Sequence, residues 1–89
     1  MTHIERIKEA FKTQSNIEKF AFLTRTMDFL DVSKNVIAEK QNEIKPTFEK
    51  YMNGDFDSIY EFFKIAGKEL KESTVIILKT DAFTGNLKS

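Results

Sequence analysis

Apolar residues recur at helical spacing along most of the chain. The clearest stripe has members three or four positions apart, with two adjacent phenylalanines: Ile59, Phe62, Phe63, Ala66 and Leu70. Such a period places the side chains on one side of a helix. It predicts a helix over residues 58–72 that buries this stripe and contains Gly67.

The segment that begins near Asn16 carries apolar residues on two helical faces. A continuous seam comprises Ile17, Phe20, Leu23, Met27 and Leu30. A second set, seven positions apart, comprises Phe22, Phe29 and Val36. A helix that is apolar on two faces is normally buried between neighbours, and in a short chain one neighbour can be another molecule. Two interpretations of the second set stay open: a compact bundle encloses it, or it forms an exposed partner-binding patch.

Helix starts are marked by three capping-box motifs, in which a hydroxyl residue is followed three positions later by Glu: Thr2 and Glu5, Ser15 and Glu18, and Ser58 and Glu61. Each motif can satisfy two backbone donors that a helix start leaves free. The first predicts a short helix from about His3 to Thr13. The second predicts the start of the two-faced helix. The third predicts the start of the helix over 58–72, with Asp57 or Ser58 as its cap.

Helix ends are marked less clearly in the middle of the chain. No Gly or Pro interrupts residues 16–45, so this region can form one long central helix, although Asp31 to Ser33 is a weak stop signal with Ser33 as the next cap. At Pro46 we expect a kink or the first position of a new helix. Gly54 suits the left-handed position that follows a helix end.

The last segments favour helix followed by a tail. Residues 74–80 contain Val75, Ile76 and Ile77, which favour a strand, but a lone strand would have no partner within the chain. We therefore favour a helix there, with pairing across an oligomer as the alternative. The sequence predicts an all-α bundle of three to five helices, with a single domain over 1–81 and a loosely ordered tail over 82–89.

Composition narrows the class of protein without identifying it. Fourteen basic residues balance fourteen acidic ones, so no net charge favours nucleic acid or an anionic membrane. There is no cysteine, which excludes disulfides and thiolate chemistry and fits a cytoplasmic location. The longest strongly apolar run, residues 75–78, is far too short to span a bilayer. The abundance of Lys, Ile, Asn and Phe is typical of AT-rich coding DNA and suggests a low-GC bacterium or a bacteriophage as the source.

Candidate chemistry is sparse. His3 is the single histidine and lies on the first turn of a short helix, a poor position for a general base or a metal ligand. The spacing of Asn53, Asp55 and Asp57 resembles the opening of a calcium loop, but Ser58 and Lys64 occupy the positions that require Gly and a bidentate acid. We predict no catalytic residues, no metal site and no cofactor, and therefore no enzymatic activity.

Two functions remain as hypotheses. The first is a regulatory, inhibitor or adaptor protein that binds another protein through apolar surface on residues 20–37, including Phe22, Phe29 and Val36. A homodimer is expected rather than a monomer. The alternative is a nucleic-acid-binding module, resembling a helix-turn-helix over residues 46–72. Its second helix would present three lysines and three glutamates: Lys64, Lys68, Lys71, Glu61, Glu69 and Glu72. The glutamates weaken this alternative, since a recognition helix needs a basic surface.

Overall fold

A computed structural model describes residues 2–79 and shows helices joined by short connections, with no strand in that range. The helices are α1 (His3–Lys12), α2 (Asn16–Phe29), α3 (Lys34–Glu39), α4 (Gln41–Met52), α5 (Ser58–Ile65) and α6, which occupies residues 72–79. The all-α prediction and the helical assignment of residues 74–79 are confirmed. Residues 2–79 form six helices, more than the expected three to five. The number is higher because residues 16–45 divide among α2, α3 and α4, and because the helix predicted over 58–72 ends at Ile65 before α6 begins. The predicted tail over 82–89 lies outside the described residues.

Two of the three predicted capping boxes start helices. Thr2 and Ser15 are the N-caps of α1 and α2, and in both the hydroxyl accepts from the amide of the Glu three positions on, at 3.3 and 3.2 Å. The third box is wrong. Ser58 is already helical and donates instead to the Asp55 carboxylate at 3.0 Å, while Asp57 occupies the N-cap position without a side-chain cap bond.

The long helix predicted over residues 16–45 is not formed. α2 ends at Phe29, and the chain turns through Asp31, which has a φ of 57°. The Val32 amide donates to the Met27 carbonyl at 2.9 Å, which is the outer bond of a Schellman motif. Ser33 then caps α3, as the weaker stop signal indicated. The prediction failed because this ending uses Asp, and not Gly, in the left-handed position.

A second break lies at Lys40 and not at Pro46. Lys40 has a φ of −108° and serves as the C-cap of α3 and the N-cap of α4. Pro46 lies inside α4, five residues after the helix begins, so the prediction that a new helix starts at Pro46 is wrong. Its fixed φ is compatible with helix, and the cost is one missing backbone donor.

Glycines end α4 and α5 in the same way. Gly54 has a φ of 110°, as predicted for a residue just after a helix, and the Asp55 amide reaches back to Lys50. Gly67 has a φ of 87°, and the Lys68 amide donates to the Phe63 carbonyl at 2.8 Å. Gly67 is therefore a helix terminator and not an interior residue, which corrects the helix predicted over residues 58–72.

The core is formed mainly by aromatic side chains. Phe11 lies near its centre, 4.8 Å from the ring of Tyr51 and 5.0 Å from that of Phe56, measured between centroids. The buried apolar residues come from all helices except α3 and from three of the connections: Phe11, Phe22, Leu23, Val32, Ile44, Tyr51, Phe56, Ile59, Phe62, Phe63, Leu70, Val75 and Leu78. The predicted α5 stripe is buried at Ile59, Phe62 and Phe63.

Lysine amines link the helices through backbone carbonyls. The Lys19 amine donates to the carbonyl of Met52, the last residue of α4, and the Lys40 amine to that of Ile65, the last residue of α5, both at 2.9 Å. In return, the Tyr51 hydroxyl donates to the Lys19 carbonyl at 2.6 Å. A positive charge at a helix C-terminus is favourable because it opposes the negative end of the helix dipole.

Candidate interaction groove

The helix α2 buries polar side chains and exposes apolar ones. Lys19 and Thr26 are buried, and both side chains have hydrogen-bond partners. The Thr26 hydroxyl donates to the Phe22 carbonyl at 2.8 Å, and the Lys19 amine donates to the Met52 carbonyl of α4. Ile17 is 82% exposed, Phe20 54% and Phe29 56%. Three of the four large hydrophobic side chains that residues 2–79 expose therefore belong to α2, and the fourth is Ile77 in α6.

The three residues predicted as one partner-binding patch do not share a surface. Phe22 is 2% exposed and lies in the core, with the Lys79 amine 4.3 Å from its ring centroid. Phe29 is exposed, and Val36 in α3 is half-buried. The compact-bundle interpretation is therefore correct for Phe22. The sequence did not distinguish the two faces of α2, because both are apolar.

A groove of about 690 Å³ lies between α2, α3 and α4. Its apolar lining consists of Phe20, Leu23, Met27, Ile37, Ile44, Phe48 and Phe62. Leu23, Ile44 and Phe62 are buried and form its floor. Phe20 and Phe48 pack edge to face across one side, with centroids 6.4 Å apart.

The charged side chains that line the groove are all positive. Its polar lining consists of Thr24, Lys34, Gln41, Asn42 and Lys45, and it contains no carboxylate. Lys34 and Lys45 are exposed, and neither forms a salt bridge with another of the described residues. The surface therefore combines an apolar floor with two free ammonium groups beside it.

The groove partly coincides with the surface that the sequence indicated. Phe20, Leu23 and Ile37 fall within the predicted interaction region, residues 20–37. The expectation that Phe20 is buried with the rest of its seam is wrong, since it is 54% exposed. Ile44 and Phe48 were not identified as site residues. The only sequence signal for them is their own helical spacing in α4, which does not show that α4 lies beside α2.

The other candidate sites are dispersed or already paired. Asp57 forms a salt bridge with Lys8 at 2.8 Å, and Asp55 accepts from Ser58, so the loop carboxylates stabilise the fold. His3 is exposed on the first turn of α1. Among residues 2–79, no group of three or more His, Cys, Asp or Glu side chains is positioned to hold a metal ion.

The lysines of the nucleic-acid hypothesis do not lie on one helix. Lys64 is in the last turn of α5, whereas Lys68 and Lys71 follow the turn at Gly67. Lys64 and Lys68 line a depression of about 440 Å³ together with Tyr60. The Tyr60 hydroxyl is buried without a hydrogen-bond partner among the described residues, and burial raises the pKa of this phenol to about 12.

Comparison with known proteins finds no match to this chain among family models, curated proteins or solved structures. Within the part of the chain that the structure describes, no helix combines the length and the apolar character needed to cross a bilayer. The groove is therefore interpreted from its own geometry.

Proposed function

We propose that this protein is a small non-enzymatic regulator, inhibitor or adaptor that binds an amphipathic helix of another protein in the groove. The observation that carries the proposal is the groove itself, an open apolar channel of about 690 Å³ on a chain of 89 residues. Extended apolar surface on a small protein is typical of interaction sites.

A helix is the occupant that best fits these walls. Helix-in-groove recognition uses apolar anchors at positions i, i+3 or i+4, and i+7, which enter a hydrophobic channel between helices. Here α2 and α4 supply the walls, and the phenylalanines Phe20 and Phe48 lie where an anchor would pack. Aromatic walls provide a large apolar contact area to such an anchor.

The charges favour an acidic partner. Lys34 and Lys45 border the apolar floor and no carboxylate opposes them within the groove. Charge complementarity at the rim of an interface contributes mainly to specificity and to the association rate. The preferred ligand is therefore an amphipathic helix with Glu or Asp beside its apolar face.

The test uses two designed helical peptides that share the same leucine anchors and differ in their flanking residues, Glu in one and Lys in the other. Fluorescence anisotropy measures their binding to the full chain. We expect the Glu peptide to bind at least about tenfold more tightly, a difference of about 1.4 kcal/mol. Weak and equal binding of both peptides would contradict the proposal.

Variants of the protein locate the binding site. Lys34→Glu/Lys45→Glu changes only exposed residues and should reverse the preference between the two peptides. Ile37→Glu should abolish binding, because it places a carboxylate on the groove wall. Ile77→Glu is the matched control, since Ile77 is 50% exposed on α6 and does not line the groove. Equal loss of binding in Ile37→Glu and Ile77→Glu would place the site elsewhere.

A further inference from the structure

The outward side of α2 carries an apolar strip beside the groove. Its members are exposed and spaced three or four positions apart: Ile17, Phe20, Ala21 and Thr24. The Thr24 hydroxyl donates to the Phe20 carbonyl at 2.9 Å, so its donor is already used within the helix. The strip thus offers little to hydrogen-bond with water, and its most exposed member, Ile17, is more accessible than any other large hydrophobic residue of residues 2–79.

One edge of this strip carries two opposite charges. Glu18 and Arg25 are both exposed and lie seven residues, or about two helical turns, apart on the same side of α2. Glu18 accepts hydrogen bonds from Ser15, and Arg25 has no salt-bridge partner within residues 2–79. The Lys79 amine lies near both side chains: burial and the Arg25 charge lower the pKa of that amine, and the Glu18 charge raises it. A further carboxylate beside Arg25 would therefore be favourable.

We infer that the strip binds the same strip of a second copy of this chain, with the two α2 helices antiparallel about a twofold axis. In an antiparallel pair the Glu18 end of one helix lies beside the Arg25 end of the other, so two equivalent Glu18–Arg25 pairs form. A parallel twofold pair would instead place the charged edges of the two helices on opposite sides, so that no Glu18–Arg25 pair would form. The charge pattern therefore selects the antiparallel direction, and the twofold symmetry makes one patch complementary to itself.

The sizes of the side chains agree with this arrangement. The midpoint between Glu18 and Arg25 lies next to Ala21, so the axis crosses the strip at its smallest side chain. A small residue at the crossing lets two helix backbones approach closely, while Phe20 and Ile17 pack on either side. Phe20 and Thr24 also line the groove, so the two surfaces share an edge, whereas Ile17, Glu18 and Arg25 do not line it. Variants at these three residues therefore test the pairing without altering the groove.

Charge reversal tests the arrangement in the full-length chain, by sedimentation equilibrium over concentrations up to about 1 mM. The unaltered chain should dimerise. Glu18→Arg and Arg25→Glu should each weaken the dimer by about tenfold or more, because each places like charges together twice. The double variant Glu18→Arg/Arg25→Glu should regain dimerisation, and so should an equimolar mixture of the two single variants, in which every pair is opposite again.

Two further variants distinguish a direct effect on dimerisation from damage to helix α2. Glu18 also completes the capping box of α2, so Glu5→Arg is the matched control: it removes the equivalent box of α1 and should leave the dimer unchanged. Ile17→Glu should abolish dimerisation while circular dichroism shows an intact fold, since Ile17 is exposed. A monomeric unaltered chain at every concentration would overturn the inference. So would a dimer that neither the double variant nor the mixture restores.

Discussion

Helices α2 and α5 use their apolar residues in opposite ways. In α5 the periodic apolar positions are the buried ones, with Ile59 and Phe63 fully enclosed. In α2 the inward side includes Lys19 and Thr26, while Ile17 and Phe20 face outward. The comparison indicates that α5 contributes its apolar residues to the core, whereas α2 contributes one side to the core and leaves an apolar surface exposed on the other.

Burial of polar groups on α2 is possible because each of them has a nearby acceptor. Thr26 bonds within its own helix, and Lys19 reaches the C-terminal end of α4. A buried polar group with such a partner costs little, whereas one without a partner costs about 1–3 kcal/mol. The exposed apolar residues have no such compensation for their contact with water, which supports the proposal that they bind a partner.

The largest expected effect on stability comes from truncating a core aromatic residue of α5. The comparison is with the same truncation of an exposed aromatic residue of α2. Phe63→Ala should lower the free energy of unfolding by about 3–5 kcal/mol, because it leaves a cavity in a fully buried site. Phe20→Ala should lower it by less than about 1 kcal/mol, since Phe20 is 54% exposed and its ring packs on that of the half-buried Phe48. Urea unfolding measures both. Similar losses in the two variants would show that Phe20 is a folding residue.

A smaller effect distinguishes the two tyrosines. Tyr51→Phe removes the 2.6 Å bond to the Lys19 carbonyl and should destabilise the protein by about 1–2 kcal/mol. Tyr60→Phe removes a buried hydroxyl that has no partner among residues 2–79 and should stabilise it by about 1 kcal/mol. Thermal and urea unfolding check the opposite signs. Destabilisation by Tyr60→Phe would mean that its hydroxyl has a favourable contact in solution.

The pH dependence of stability provides a second measure of the two tyrosines. Burial raises the pKa of both phenols, that of Tyr60 to about 12, so the folded state keeps protons that the unfolded state releases above about pH 10. Stability must therefore fall as pH rises above about 10. Tyr51→Phe and Tyr60→Phe should each reduce this loss of stability at high pH. Lys79 acts in the opposite direction because burial lowers the pKa of its amine, so each variant is compared with the unaltered chain at the same pH.

The smallest effect concerns how the two helices end. Both endings use a Schellman turn, with Asp31 in the left-handed position after α2 and Gly67 after α5. Asp31→Gly should stabilise the protein by about 0.5 kcal/mol, because relief of the left-handed strain slightly exceeds the added freedom of the unfolded chain. The reverse change, Gly67→Asp, should destabilise it by about 1 kcal/mol. Denaturant midpoints measure both, and destabilisation by Asp31→Gly would show that its side chain contributes to the turn.

Local signals predicted the local structure well. The capping boxes at Thr2 and Ser15 start helices, Gly54 ends one, and the α5 stripe is buried, because each depends on residues close in sequence. Asp31 to Ser33 gave only a weak stop signal, since Asp adopts the left-handed conformation less often than Gly. Gly67 was placed inside a helix because the apolar period continues to Leu70 beyond the turn.

The groove could not be predicted from local sequence, because its lining comes from helices that are distant along the chain. The inward side of α2 is determined by long-range bonds from Lys19 and Tyr51, and these depend on where α4 lies. For the same reason, periodicity placed Phe20 on a buried stripe and Phe22 on the partner-binding face, and the structure shows the reverse. The sequence indicated the region 20–37 but not which face of α2 is exposed, and the half of the groove supplied by Ile44 and Phe48 follows only from the packing of α4 against α2.

The lysine links to helix ends have a consequence for how the chain can vary. A salt bridge between side chains constrains two positions, since a change at either end removes it. The bonds from Lys19 to Met52 and from Lys40 to Ile65 end on main-chain carbonyls, which every residue possesses. Each link therefore constrains a single position. Met52 and Ile65 are constrained by the packing of their side chains against the core, but a substitution at either position leaves the lysine link itself in place.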